Sequence, residues 1–280
     1  MMRIALCLFG QPRTYRFCSP SLHKHIIDKY NPKIFICSDG DEKGLREVYN
    51  PTTIETISWD EQYRRIGDRI YRYGETFPTP NRYYPQYPYH PANDLLPLFK
   101  MQCCREMVRN YEEKYGEFDV IIYTRFDAKF LSVQPIENIK KNTFYIPRVD
   151  AFGKAADPDG TFWEIGYCSH IWWADSETAS KISSAFYWID DVYRETRRWC
   201  GEAMIKYYCD KMKINVKHVN VDFMLIRGTS QEPREALPPW DLLSKSCHPE
   251  YLPKSWEKIS PLSSLDRSQS KSTPSENAPW

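Results

Sequence analysis

The sequence predicts an α/β fold in which helices flank a mostly parallel central sheet. Residues 4–9 form a continuous apolar run that ends at a turn signal, the pattern of a strand buried on both faces. A helical pattern follows from about Ser19 to Tyr30, with Pro20 near its first turn. Residues 33–38 form a second apolar run. Strand, helix and strand in this order favour parallel strands joined by a right-handed crossover.

The later elements continue this alternation. Residues 52–58 are rich in β-forming side chains and predict a third strand. A helix is expected from about Asp94 to Tyr115, where Gly116 ends it. The remaining predictions are a strand over 119–124, a pair of short strands within 162–173, helices over 176–198 and 201–212, and a last strand segment over 216–226.

Two segments depart from regular structure. Residues 76–93 are rich in Pro and Tyr, which argues against a helix or strand, and so long a loop is typical of a functional element. Residues 260–280 are rich in Ser, Pro and charged side chains. They have too few apolar groups to pack, so we expect a flexible tail. Residues 1–259 then form a single domain.

Charge and cysteine content argue against several classes of protein. The 38 Lys and Arg residues balance 37 Asp and Glu residues, whereas a nucleic-acid-binding protein usually carries a basic excess. The nine cysteines are odd in number, and their spacings follow no metal-binding pattern and include no C-x-x-C motif. Cys7 and Cys37 lie in apolar strand-like runs, where a reduced cysteine acts as a small hydrophobic residue, and this favours a reducing compartment. The apolar run after Arg3 is shorter than the roughly 7–15 residues of a signal peptide, and none approaches the roughly 20 of a membrane span. We expect a soluble, cytoplasmic protein with no nucleic-acid partner.

The strongest chemical motif is the stretch 119–130, DVIIYTRFDAKF. Arg125 and Asp127 stand at alternate positions where a buried strand ends, and ligands of open α/β sheets bind beyond the carboxyl ends of the strands. A carboxylate there can hold Mg²⁺ or Mn²⁺, and an Arg can bind phosphate through two hydrogen bonds. The alternative interpretation is an Arg–Asp ion pair that only ends the strand.

Two other strand ends carry candidate ligand-binding residues. The first strand is followed by GQPRTY, in which Gly10 allows close backbone approach and Arg13 can meet a phosphate. A plain strand–helix turn is the alternative. The second strand is followed by Asp39, whose carboxylate can accept a hydrogen bond from a base or ribose, although an Asx turn has the same composition.

These motifs together resemble a group of GT-A-type glycosyltransferases. The resemblance rests on GQPRTY after the first strand, on FDVIIYTRFDAKF, and on the intervening helix with Phe99-Lys100-Met101-Gln102 and Tyr111-Glu112. It covers roughly residues 3–230. Members of the group build bacterial capsules, lipopolysaccharide and the surface glycans of large DNA viruses such as chloroviruses. If the chain is viral, its expected location is the host cytoplasm.

The resemblance implies a Rossmann-like nucleotide-binding half over 1–130 and an acceptor-side half over 131–259. It also implies a divalent cation, Mn²⁺ or Mg²⁺, and a nucleotide-sugar donor. One departure matters, because the usual metal motif is Asp-x-Asp and Arg125 replaces the first acid. Metal binding then rests on Asp127 alone with water and phosphates, or the charge of Arg125 partly replaces the metal.

The function expected from this resemblance is transfer of a sugar, with UDP-xylose as one donor, to a hydroxyl of a glycan acceptor. The residues expected to bind the nucleotide-sugar are Gly10, Gln11, Arg13, Asp39, Lys100, Arg125 and Asp127. An inverting transfer needs a general base, usually Asp or Glu, and the candidates are Glu202, Asp159 and Glu164. Two alternatives are a non-catalytic carbohydrate-binding protein of the same fold and a sugar nucleotidyltransferase, although the latter would need a richer glycine loop than Gly10 provides.

Overall fold

The computed structural model describes residues 2–62, 64–67, 92–147, 155–156, 162–163, 170–196 and 201–226. The predicted loop over 76–93 lies outside the described residues except at positions 92 and 93, which are helical, so the loop prediction was wrong there. The predicted domain end at 259 and its tail lie outside the described residues.

Seven strands form the central sheet: β1 (Ile4–Gly10), β2 (Lys33–Ser38), β3 (Thr53–Thr56), β4 (Val120–Arg125), β6 (Thr143–Pro147), β9 (Ile171–Ala174) and β10 (Asn215–Val219). Their spatial order is β10-β6-β9-β4-β1-β2-β3. Two further pairs lie outside it: β5 (Ala128–Val133) with β11 (Val221–Leu225), and β7 (Ala155–Ala156) with β8 (Phe162–Trp163).

The helices lie between these strands in the chain. They are α1 (Tyr15–Leu22), α2 (Glu42–Tyr49), α3 (Ala92–Tyr115), α4 (Ser176–Ser183), α5 (Ala185–Thr196) and α6 (Gly201–Lys211). Helix α1 passes without a break into a π-helical segment, His23–Ile27, and a final turn, Asp28–Tyr30. Residues 59–62 and 64–67 are also helical.

The predicted mostly parallel sheet is confirmed. Strand β1 is parallel to both of its neighbours, β2 and β4, and the pairs β2–β3 and β6–β10 are parallel as well. Only β9 runs against its neighbours, β4 and β6. The architecture is α/β and consistent with a Rossmann-like fold.

The sheet has a separate hydrophobic core on each face, and alternate residues of β1 show why. Ala5, Cys7 and Phe9 join a core that includes residues of α3, α4, α5 and α6. Ile4, Leu6 and Leu8 join the opposite core, to which α1, α2, β5 and β11 contribute. A strand covered on both faces needs apolar side chains at every position, and this accounts for the unbroken apolar run that predicts β1.

The helix predicted from Ser19 begins earlier, at Tyr15, so Pro20 lies inside the helix and that prediction was wrong. Proline has no N–H to donate to the carbonyl oxygen four residues before it, which here belongs to Arg16. Ser19 Oγ donates to that oxygen at 3.3 Å instead. A local side-chain donor thus compensates for the proline.

Two predicted elements are each divided in the structure. The strand expected over 216–226 is interrupted at Asn220, where the chain leaves β10 in the central sheet and enters β11 in the small one. The helix expected over 176–198 is divided at Ser184 into α4 and α5.

Helix α2 was not predicted, because the acidic residues that precede it have the composition of a loop.

Candidate functional site

Three parallel strands end at one edge of the sheet and bring the predicted ligand-binding segments together. In the strand register Gly10 lies opposite Ser38, and Phe9 lies opposite Arg125. The turn after β1, the turn after β2 and the turn after β4 therefore leave the sheet side by side. This is the edge at which ligands of open α/β sheets bind.

The turn after β1 leaves room for a ligand. Gly10 has a φ of +111°, a backbone conformation that favours glycine. Apart from its chain neighbours, no heavy atom of the described residues lies within 4 Å of a Cβ added to Gly10. Gln11 is half-buried and Arg13 is exposed. In the described ranges no hydrogen bond or ion pair engages the Arg13 guanidinium, so its charge is available to an anion.

Arg125 and Asp127 form a two-point ion pair in the turn after β4. Arg125 Nε donates to Asp127 Oδ1 at 2.9 Å, and Arg125 Nη2 donates to Asp127 Oδ2 at 2.6 Å. The side chain of Arg125 is 29% exposed and that of Asp127 is 11% exposed. Phe126 between them is buried and fixes the turn against the core of the α1 face. The alternative interpretation of this motif, an ion pair at the strand end, is thus present in the structure, whereas its role in binding a ligand remains a prediction.

A second ion pair lies at the end of β2 and is nearly fully buried. Lys100 Nζ lies 2.5 Å from Asp39 Oδ1, and their side chains are 3% and 7% exposed. Gln62 Nε2 donates to the same oxygen at 2.5 Å. Asp39 Oδ2 is buried and has no hydrogen-bond partner within the described part of the chain. A buried acceptor without a donor is costly, so this oxygen is suited to a donor from a ligand or from water.

The Asx turn considered for Asp39 is not the arrangement found. The local turn is made by Ser38, whose Oγ donates to the Gly40 carbonyl oxygen at 2.8 Å. The side chain of Asp39 instead reaches Lys100 on α3 and Gln62 on the helical segment 59–62. Sequence reasoning missed Gln62, because its position follows no motif and its partner is distant in the chain.

Asp41 links the first turns of α1 and α2 at the same edge. Its Oδ1 accepts from the Gly44 backbone N–H at 3.2 Å and so caps α2. Its Oδ2 accepts from the Tyr15 hydroxyl at 2.6 Å. Burial of the phenol, followed by its hydrogen bond to Asp41, raises the pKa of Tyr15 to about 12. Both helix starts are therefore held by one carboxylate.

The predicted cation site at Asp127 does not fit the arrangement of the described residues. Both carboxylate oxygens accept hydrogen bonds from the positively charged Arg125, which opposes a second positive charge at that position. Among the described residues, the one group of three potential metal ligands that lie close together is Cys37, Glu55 and Cys103, not Asp127. The proposed Mn²⁺ or Mg²⁺ stays a prediction, and no step of the reaction is assigned to it.

The structure does not describe the side chains of the three candidate bases, so their place relative to the site stays a prediction. Asp159 and Glu164 lie outside the described ranges, and so does the side chain of Glu202, although its backbone is in the first turn of α6. Two other acids have structural roles. Asp175 caps α4 by accepting from the Thr178 backbone N–H at 3.1 Å, and Asp222 accepts from Ser132 Oγ at 2.6 Å.

Comparison with known proteins does not assign the chain to a family. No protein-family model matches the chain, and no curated protein is similar enough to be counted as a relative. Within the described residues, no helix has the length and apolar content needed to cross a membrane.

Proposed function

We propose that the chain is a glycosyltransferase that transfers a sugar from a nucleotide-sugar to a hydroxyl of a glycan. The observation that carries this proposal is the shared edge at which β1, β2 and β4 end. As far as the described residues show, it combines open space at Gly10, an Arg13 charge without a partner, the guanidinium of Arg125 and an Asp39 oxygen without a donor. A nucleoside diphosphate offers groups that match each of these features.

The two arginines act on the diphosphate. The charge that develops on a departing nucleoside diphosphate is stabilised by positioned cations, and Arg13 is free to meet it. A guanidinium has five N–H donors, and Arg125 uses only its Nε and Nη2 toward Asp127. The remaining donors can bind phosphate while the ion pair stays intact. Asp127 then holds the guanidinium in the orientation that binding requires.

Asp39 faces the nucleoside in this proposal. Its Oδ1 is held by Lys100 and Gln62, and its Oδ2 accepts from a ribose hydroxyl or a base N–H. Lys100 therefore acts by holding Asp39, and a direct contact between Lys100 and the donor is not required. UDP-xylose is the donor that we would test first, and Glu202, Asp159 and Glu164 are the proposed bases.

The first test is calorimetric titration of the full chain with UDP and with UDP-sugars, with and without Mn²⁺. We expect UDP binding that weakens about tenfold in Arg13→Ala, the loss of about one charge-assisted contact. Arg109→Ala is the matched control, because Arg109 is an exposed residue of α3 paired with Glu113. Binding of free glycan without any nucleotide would instead favour a carbohydrate-binding protein.

The second test addresses the strand end directly. We expect Asp127→Ala to lose most of the transfer activity, because the guanidinium of Arg125 would lose its fixed orientation. Donor hydrolysis and transfer are measured by release of free nucleoside diphosphate. Transfer at the wild-type rate in this variant would show that the site is placed wrongly.

A further inference from the structure

A second polar cluster lies next to the Asp39–Lys100 pair along β2 and α3, on the same face of the sheet. It consists of Cys37 on β2, Glu55 on β3 and Cys103 on α3. Cys37 lies opposite Glu55 in the parallel register of the two strands. One ligand atom from each of the three side chains lies within 4.8 Å of the other two. Three elements therefore converge on one point.

The composition of the cluster matches a borderline-soft cation. Zinc is bound in proteins by Cys sulfur at about 2.3 Å and by carboxylate oxygen at about 2.0–2.2 Å. Tetrahedral ligands at these distances lie about 3.6–3.8 Å apart. Since the ligand atoms lie within 4.8 Å of one another, each pair needs to close by at most about 1.2 Å. Hard cations such as Mg²⁺ prefer an all-oxygen shell and do not suit two sulfur ligands.

We propose that Cys37, Glu55 and Cys103 form a metal site for a zinc-class divalent cation, with a water molecule as the fourth ligand. Binding releases the protons of both thiols to solvent and leaves two thiolates and one carboxylate around the ion. Three negative charges exceed the charge of the cation by one. Arg65 offsets part of this charge, since its Nη1 lies 3.3 Å from Glu55 Oε1 while its Nε donates to Glu61 Oε1 at 2.6 Å.

The burial of the three ligands is compatible with entry of an ion from one side. Cys37 and Cys103 are buried, whereas Glu55 is half-buried on the edge strand β3. A neighbouring thiol pair differs in having no carboxylate beside it. Cys7 and Cys104 are hydrogen-bonded to each other and completely buried, and Cys37 and Cys103 are hydrogen-bonded to each other in the same way. Among the described residues, however, only the second pair is joined by an acid in a close group of ligands.

The site has a structural consequence for the edge described above. Cys37 is two residues before Asp39 on the same side of β2, and Cys103 is one helical turn after Lys100 on α3. A bound ion would tie together the same two elements that hold the Asp39–Lys100 pair. The proposal does not depend on the glycosyltransferase function, because it concerns metal binding alone.

The test is a titration of the full, metal-free chain with Co²⁺, in a buffer that contains a phosphine reductant to keep the thiols reduced. Co²⁺ substitutes for Zn²⁺ and reports sulfur ligation by a thiolate charge-transfer band and tetrahedral coordination by its visible bands. We expect both bands, their loss on addition of Zn²⁺, and no effect of Mg²⁺. Absence of the charge-transfer band, or displacement of Co²⁺ by Mg²⁺, would overturn the proposal.

Three variants locate the site. Cys103→Ala and Glu55→Gln are each expected to weaken Co²⁺ binding by more than about a hundredfold, since even outer-shell changes cost 10–100-fold. Cys104→Ala is the matched control from the neighbouring thiol pair and should bind like the wild type. Circular dichroism verifies folding, and Glu55→Gln keeps the test valid if a core cysteine variant fails to fold. Equal loss in Cys104→Ala, or wild-type affinity in folded Glu55→Gln, would refute the assignment.

Discussion

Lys100 Nζ lies 2.5 Å from Asp39 Oδ1 in a pair that is almost completely buried. From the sequence, each residue was expected to contact a ligand by itself. The structure shows that each is the main electrostatic partner of the other, across the interface between β2 and α3. Mutations at the site should therefore affect stability as well as binding, because removal of one charge leaves the other buried without a partner.

We expect Lys100→Met to lower the free energy of unfolding by about 3–5 kcal/mol, the usual cost of leaving one partner of a buried pair uncompensated. Urea denaturation measures the change. The double variant Asp39→Asn/Lys100→Met should recover much of the loss, because no buried charge then remains. Asp39→Asn is measured as the second single variant. If the loss of unfolding free energy in the double variant equals the sum of the losses in the two single variants, the residues are not coupled.

Arg125→Lys should lower the free energy of unfolding by about 1–2 kcal/mol, because Lys keeps the charge but cannot form the two-point contact with Asp127. The matched control is Arg109→Lys, at the exposed pair with Glu113, where the expected change is below about 0.5 kcal/mol. Thermal unfolding of both variants gives the comparison. Similar losses at the two positions would mean that the strand-end pair contributes no more than a surface pair.

Gly44→Ala is expected to destabilise the chain by about 1–3 kcal/mol, as overpacking does. A Cβ at this position would overlap the Tyr15 hydroxyl and crowd Asp41, which together hold the starts of α1 and α2. Gly40→Ala is the control, since no heavy atom beyond its chain neighbours lies within 4 Å of the added Cβ. Guanidinium unfolding of the two variants should separate them clearly, and equal effects would contradict the crowding argument.

The stability of the chain should fall between about pH 10 and pH 12 through Tyr15. The pKa of Tyr15 is raised from 10.0 to about 12 in the folded state, so in this window the folded chain holds a proton that the unfolded chain has released. The stabilising contribution is complete below the unfolded pKa and is lost as the pH rises through the folded one. Unfolding free energies measured across this window in the wild type and in Tyr15→Phe test the prediction. The variant should lose less stability than the wild type, and identical curves would assign the fall to other groups.

Much of the fold can be predicted from local sequence patterns. The apolar runs of β1 and β2 identify strands buried on both faces, and Gly116 marks the end of α3 with a φ of +88°. The candidate site can be predicted in part for the same reason. Polar residues at the carboxyl end of a buried strand, such as Asp39 after β2 and Arg125 at the end of β4, must lie at the carboxyl edge of the sheet.

Patterns that depend on distant partners could not be predicted. The antiparallel strand β9 between two parallel neighbours, and the departure of β11 from the central sheet, leave no local signal in an apolar run. The start of α1 was predicted too late because Pro20 is typical of a first helical turn. The hydrogen bond of Ser19 that compensates for Pro20 cannot be recognised from composition.

The sequence by itself determined which segments are buried strands and which polar residues follow them, because apolar periodicity and glycine positions are local properties of the chain. Only the tertiary structure decided that Asp39 pairs with Lys100, and that Cys37 meets Cys103 and Glu55. In each case one partner lies on β2 or directly after it and another lies on α3, far along the chain. The crossover connections of a parallel sheet bring such residues together, and no spacing rule in the sequence records the distance between them.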